Sequence, residues 1–124
     1  ISYRINPIDR WFNFYFEAKE RGLDPLWTIN HGWISGIYYK DPDGNLVEIF
    51  FEHFSSAEEF KSNISPDFED EPIGTNMDVE VLYEMYKAGS DFSELITKGN
   101  TVPEGKKPVS GFDAVVNMKK KFKD

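Results

Sequence analysis

The chain has 124 residues, enough for one domain with a sizeable core, and 40% of them are hydrophobic and 16% aromatic. It carries 22 acidic and 14 basic residues for a net charge of −8, which argues against nucleic acid and anionic membrane as partners, since both select a basic surface. It has no cysteine, so disulfides and thiolate chemistry are excluded, and no apolar run approaches the ~18 residues of a membrane-spanning helix. Without a basic-then-apolar leader, the expected location is the cytoplasm.

The first residues, Ile1-Ser2-Tyr3-Arg4-Ile5, alternate and predict a strand over 1–5. The chain starts without Met and inside this strand, which gives the expectation that it is the later part of a longer protein. Asn6-Pro7 predicts a helix start, with Asn6 as N-cap, Pro7 in the first helical position and Asp9 complementing the positive helix end. The helix is expected to run to about Arg21 and stop at Gly22. Ile8, Trp11, Phe12, Tyr15 and Ala18 form its apolar stripe, and Phe14 and Phe16, off the stripe, call for a further covering element.

Residues 26–30 read as a short strand leading to His31-Gly32. Ile34 to Lys40 is rich in β-branched and aromatic residues and predicts the next strand. Asp41-Pro42-Asp43-Gly44-Asn45 is a turn: Pro42 pre-sets φ, Asp41 and Asp43 can bond nearby backbone, and Gly44 tolerates positive φ. Leu46 to Glu52 is the last strand of this block. Alternation puts Val47, Ile49 and Phe51 on one wholly apolar face and sets Glu48 between Leu46 and Phe50 on the other. A carboxylate so placed is either a surface group on a half-exposed strand, the simpler reading, or a cavity group with a partner such as a metal ion.

Beyond Glu52 the composition shifts. Ser56-Ala57-Glu58-Glu59 is a capping box, residues 63–77 read as loop with an acidic run at Asp67, Glu69, Asp70 and Glu71, and Asp78 opens a helix through about Ala88. Ser90 is a candidate cap for a short helix through Ile96. From Gly99 the chain is Pro-, Gly- and Lys-rich and ends in a basic segment.

His31-Gly32, a strand ending in Tyr38-Tyr39, and Asp41-Pro42-Asp43-Gly44-Asn45-Leu46-Val47-Glu48 together resemble the end of a βαβββ module of the vicinal-oxygen-chelate superfamily, which includes glyoxalases, bleomycin-resistance proteins and extradiol dioxygenases. Glu71-Pro72-Ile73-Gly74 and Lys87-Ala88-Gly89 resemble the C-terminal extension of single-domain extradiol-dioxygenase-like members. The resemblance implies an α+β fold, with a βαβββ module over 1–53 as half of a paired-module open barrel, a helical C-terminal extension over 54–98 and an extended tail over 99–124. No second copy of the module pattern occurs in 53–124, so its pair is expected upstream or in a partner chain, with a homo-oligomer one way to supply it.

The resemblance further implies an extradiol ring-cleaving dioxygenase that takes a catechol-type aromatic and O2. Such enzymes hold Fe(II) by two His and one Glu. Glu48 matches the carboxylate ligand, and the residue before Ile1 would be one ligand His. His31 matches a proton-handling His and Tyr38 the Tyr that bonds the substrate oxygen; read without the family, His31 is a loop residue bonded to backbone and Tyr38 a strand aromatic. His53 reads as structural or exposed, and Trp27 and Trp33 as core residues with a cavity wall as the alternative. Rival readings are a glyoxalase-like isomerase or lyase using Mn, Zn or Ni, a non-catalytic binder of small aromatics, and a structural remnant.

Overall fold

The computed structural model describes residues 1–63 and 74–101, apart from the side chains at 57, 60 and 63. The tail from 102 onward and the acidic run at Asp67 to Glu71 lie outside them. Strands β1 (Ser2–Arg4), β2 (Trp27–Asn30), β3 (Ile34–Lys40), β4 (Leu46–Glu52) and β5 (Thr75–Asn76) form one mixed sheet in the order β1-β4-β3-β2-β5. Helices α1 (Ile8–Glu20), α2 (Ala57–Asn63), α3 (Val79–Lys87) and α4 (Phe92–Leu95) complete the described chain, an α+β architecture compatible with a glyoxalase-like fold.

The β3–β4 hairpin is fixed by its turn. The Asp41 carboxylate accepts the N–H groups of Asp43 (3.0 Å) and Asn45 (2.7 Å), and Gly44 takes φ +87°. These donors, Asn45 first, hold the Asp41 carboxyl below its ordinary range. The hairpin register sets Tyr38 opposite Glu48 and Ile37 opposite Ile49, while β1 runs parallel to β4 with Ser2 beside Glu48.

α1 begins one residue later than its sequence suggests. Pro7 occupies the cap position and no side chain caps the helix. Asn6 turns instead to β4, where its Oδ1 accepts the Glu52 N–H at 3.0 Å, so the residue ties the helix entry to the sheet rather than capping. The stripe of Ile8, Trp11, Phe12, Tyr15 and Ala18 is buried as expected, against Ile37, Ile49 and Phe51. Trp11 is fully buried, meets Phe51 edge-on at 4.8 Å and donates its indole N–H to the Ile49 carbonyl at 3.0 Å. Met77, Val79, Leu82 and Leu95 join the same core. Phe14 and Phe16 find their cover: Tyr39 of β3 lies edge-on to Phe14 at 5.9 Å and Tyr83 of α3 to Phe16 at 4.7 Å.

The second half shows three departures from the local reading. Thr75–Asn76, within the stretch read as loop, pairs with β2 as an edge strand; two residues are too few to show a period. At α2 the Ser56 hydroxyl accepts the Glu59 N–H at 3.1 Å, but Glu59 returns its carboxylate to Ser55, giving a capping box displaced by one residue. Asp91 rather than Ser90 precedes α4. Asp78 caps α3 as expected, accepting from Glu80 and Val81.

Candidate functional site

The face of the sheet turned away from α1 carries Ser2, Trp27, Ile29, Ile34, Gly36, Tyr38, Glu48, Phe50 and Glu52, as strand alternation and register require. Glu48 sits near its middle and is 7% exposed, so the surface-carboxylate reading does not hold. Gly36 is what makes room for it. A Cβ at that position would stand 2.6 Å from Glu48 Oε2 and 3.2 Å from its carboxyl carbon, so the carboxylate lies over the bare glycine backbone. A glycine inside a strand signals close approach, and that is the mark Gly36 leaves in the sequence.

Three groups converge on the carboxylate. Ser2 Oγ donates to Oε1 at 3.0 Å. His31, from the turn between β2 and β3, places Nε2 3.4 Å from Oε2. Tyr38 Oη is 3.2 Å from the same Nε2. The 3.4 Å approach is longer than a well-formed N–H···O bond. Oε2 accordingly is buried with no hydrogen bond, one of two such side-chain atoms among the described residues. Burial acts to raise the Glu48 pKa, but His31, Tyr38 and Ser2 outweigh it and hold the carboxyl below its ordinary value. The group is therefore an anion at neutral pH.

Burial, and then the Glu48 charge, push the Tyr38 hydroxyl above the ordinary phenol range, so it keeps its proton. A proton on His31 Nε2 faces both the Tyr38 oxygen and the carboxylate, and without it the Tyr38 hydroxyl donates to Nε2. Either partner can therefore donate across the contact, with Tyr38 keeping its hydroxyl proton in both arrangements. Trp27 stacks on Tyr38 with centroids 4.9 Å apart, and Trp27 Nε1 donates to Asn76 Oδ1 at 2.8 Å, so β5 braces the Tyr38 ring. Beside the site, Ser2, Arg4, Trp33, Ile34, Phe50 and Glu52 line an open depression of about 450 Å³, and Trp33 is half exposed.

The two histidines divide between the faces. His53 is 4% exposed and packs on Phe51 of the core, with centroids 5.4 Å apart. Among the described residues, no three His, Cys, Asp or Glu side chains gather as a metal site, and no helix is long and apolar enough to cross a membrane.

No protein-family model matches the chain, and no solved structure matches it. Over 85 residues, 68% of this chain and 45% of the relative, it is 34% identical to biphenyl-2,3-diol 1,2-dioxygenase 3 of Rhodococcus globerulus. Over 97 residues, 77% of this chain and 51% of the relative, it is 28% identical to biphenyl-2,3-diol 1,2-dioxygenase 2 of the same organism. The chain thus spans about half the length of the curated relatives it matches. Both relatives are by name dioxygenases of an aromatic diol, and the likeness supports the superfamily that the His31, Tyr38 and Glu48 motif resembles.

Proposed function

We propose that this chain supplies part of the active site of an extradiol-type dioxygenase acting on a catechol-type aromatic with O2. The observation that carries the reading is the buried Glu48 carboxylate, anionic, with one oxygen free of hydrogen bonds and with His31 and Tyr38 beside it. A hard anionic oxygen donor held over Gly36 fits a ligand to Fe(II), and equally to Mn. A three-ligand centre needs two further donors from outside the described residues, as a paired βαβββ module upstream or in a partner chain would provide. Fe(II), when bound, would bring the diol and O2 together and let charge pass from ring to oxygen.

The residues of this chain have separable tasks. Glu48 supplies negative charge in a water-poor setting. Tyr38, protonated and braced by Trp27, presents a hydroxyl to a substrate oxygen. His31 takes or returns a proton at Nε2, a role suited to an imidazole nitrogen, which can either donate or accept.

The test is metal content and oxygen uptake on the longest natural chain containing these residues, purified without oxygen or chelators. About one iron per chain, with O2 consumed as substituted catechols open, is the expected result. Zinc, nickel or manganese without oxygen uptake would move the assignment to an isomerase or lyase. A folded protein that takes up no metal would overturn the catalytic reading.

A further inference from the structure

We propose that His53, buried on the far face of the sheet, is a positioning residue for His31, acting with Asn30 through the backbone of Gly32. The proposal rests on the reading of His31 given above.

Gly32 follows His31 and has φ +95°, a conformation that costs glycine little. Both of its backbone polar groups are taken by buried side chains. Its N–H donates to Asn30 Oδ1 at 2.8 Å, and its carbonyl is 3.1 Å from His53 Nδ1. Asn30 is 1% exposed and donates its own Nδ2 to the Ile96 carbonyl after α4, at 2.8 Å. A carbonyl only accepts, so His53 carries its proton on Nδ1. Nε2 is then bare and accepts from Ser35 Oγ, 2.7 Å away and fully buried. Burial disfavours the charged ring and pushes the His53 pKa down to about 4, so the neutral form with Nδ1–H toward Gly32 and Ser35 donating to Nε2 is the one held at neutral pH.

The backbone of Gly74 closes the turn from behind, where a Cβ would stand 2.3 Å from the Asn30 carbonyl and 2.8 Å from His31 Cα. His31 N–H donates to Ile34 O at 2.8 Å and His53 N–H to Trp33 O at 3.0 Å. The turn carrying His31 is therefore clamped on both sides. Its imidazole points at Tyr38 because the residues past β4 hold the adjoining peptide groups.

The test uses the longest natural chain containing these residues, in whose ring-nitrogen NMR spectrum the His31 and His53 imidazoles are assigned by the signals lost in His31→Ala and His53→Asn. In the unmodified protein the proposal requires His53 in the Nδ1–H form, with its proton coupled across the hydrogen bond to the Gly32 carbonyl. An Nε2–H form overturns it without any variant. His53→Asn retains a donor where Nδ1 stands, whereas His53→Gln reaches only toward Ser35. With His53→Asn, the ring contact between His31 and Tyr38 persists in the NMR spectrum and kcat is close to wild type. With His53→Gln, that contact is lost and kcat falls about tenfold while KM stays within about twofold. If both variants lower only the melting temperature and leave the ring contact intact, His53 is structural and the proposal fails. A protein with no dioxygenase turnover in which His53→Gln still breaks the ring contact overturns the functional reading and leaves the positioning role standing.

Discussion

The Glu48 carboxylate lies across the Cα of Gly36 on the neighbouring strand, and the two residues make one feature. A Cβ at Gly36 would stand 2.6 Å from Oε2, so a single methyl group and the observed carboxylate cannot coexist. The atom that must yield is the end of a flexible side chain, and Gly36 has no positive φ that alanine would resist. Gly36→Ala is therefore expected to cost about 1–2 kcal/mol of stability, the lower part of the range for an extra methyl group in a packed site. It should displace the carboxylate and weaken metal uptake by about tenfold or more. Thermal unfolding and metal titration on the same sample separate the two effects. Unaltered metal affinity would show that Glu48 does not ligate from this position.

His31 and Tyr38 share one proton position, with Nε2 and Oη 3.2 Å apart. His31→Ala is expected to slow turnover by about two orders of magnitude while leaving metal content intact, because the group moves a proton rather than holding the ion. Tyr38→Phe keeps the ring that stacks on Trp27 and removes only the hydroxyl. It should slow turnover with little change in melting temperature. Unchanged rates in both variants would remove the pair from the mechanism.

The neutral, buried His53 makes stability depend on pH. Burial lowers its pKa from 6.5 to about 4, so between these values the unfolded chain binds the proton that the folded chain refuses. Stability from this group is complete above pH 6.5 and is lost as pH falls toward about 4, a change of about 3 kcal/mol over the window. Glu48 and Asp41, whose carboxyls are held low, act in the same direction at lower pH. Denaturant unfolding at pH 7 and pH 5 should show a clear loss in the parent protein and a smaller one in His53→Asn. Equal losses would contradict the assignment.

Tyr39 points into the core beside Phe14, 8% exposed, with a hydroxyl that has no hydrogen bond. Removing an unpaired buried hydroxyl costs nothing in lost bonds and relieves its desolvation. Tyr39→Phe is expected to leave stability unchanged or raise it by up to about 1 kcal/mol. A drop of comparable size in denaturant unfolding would mean that the hydroxyl has a bound partner.

Local patterns in the chain determined much of this structure by themselves. The β3 and β4 bounds, the Asp41–Asn45 turn, the apolar stripe of α1 and the Asp78 cap follow from alternation, helical spacing and side chains that bond their own backbone. Each is a property of residues within a few positions of one another. The same alternation put Glu48 and Tyr38 on the face away from α1. Alternation does not say whether that face is wet or buried, and the simpler reading of Glu48 as a surface group fails because the residue is buried. Burial at Glu48 depends on Ser2, Gly36 and His31, brought together by a parallel β1–β4 pairing and a hairpin register. The placing of His53, the pairing of Thr75–Asn76 with β2 and the hold of Asn30 on Ile96 are likewise contacts across distant parts of the chain. Nearest neighbours in sequence carry no energy for such contacts, so only the tertiary structure decided them.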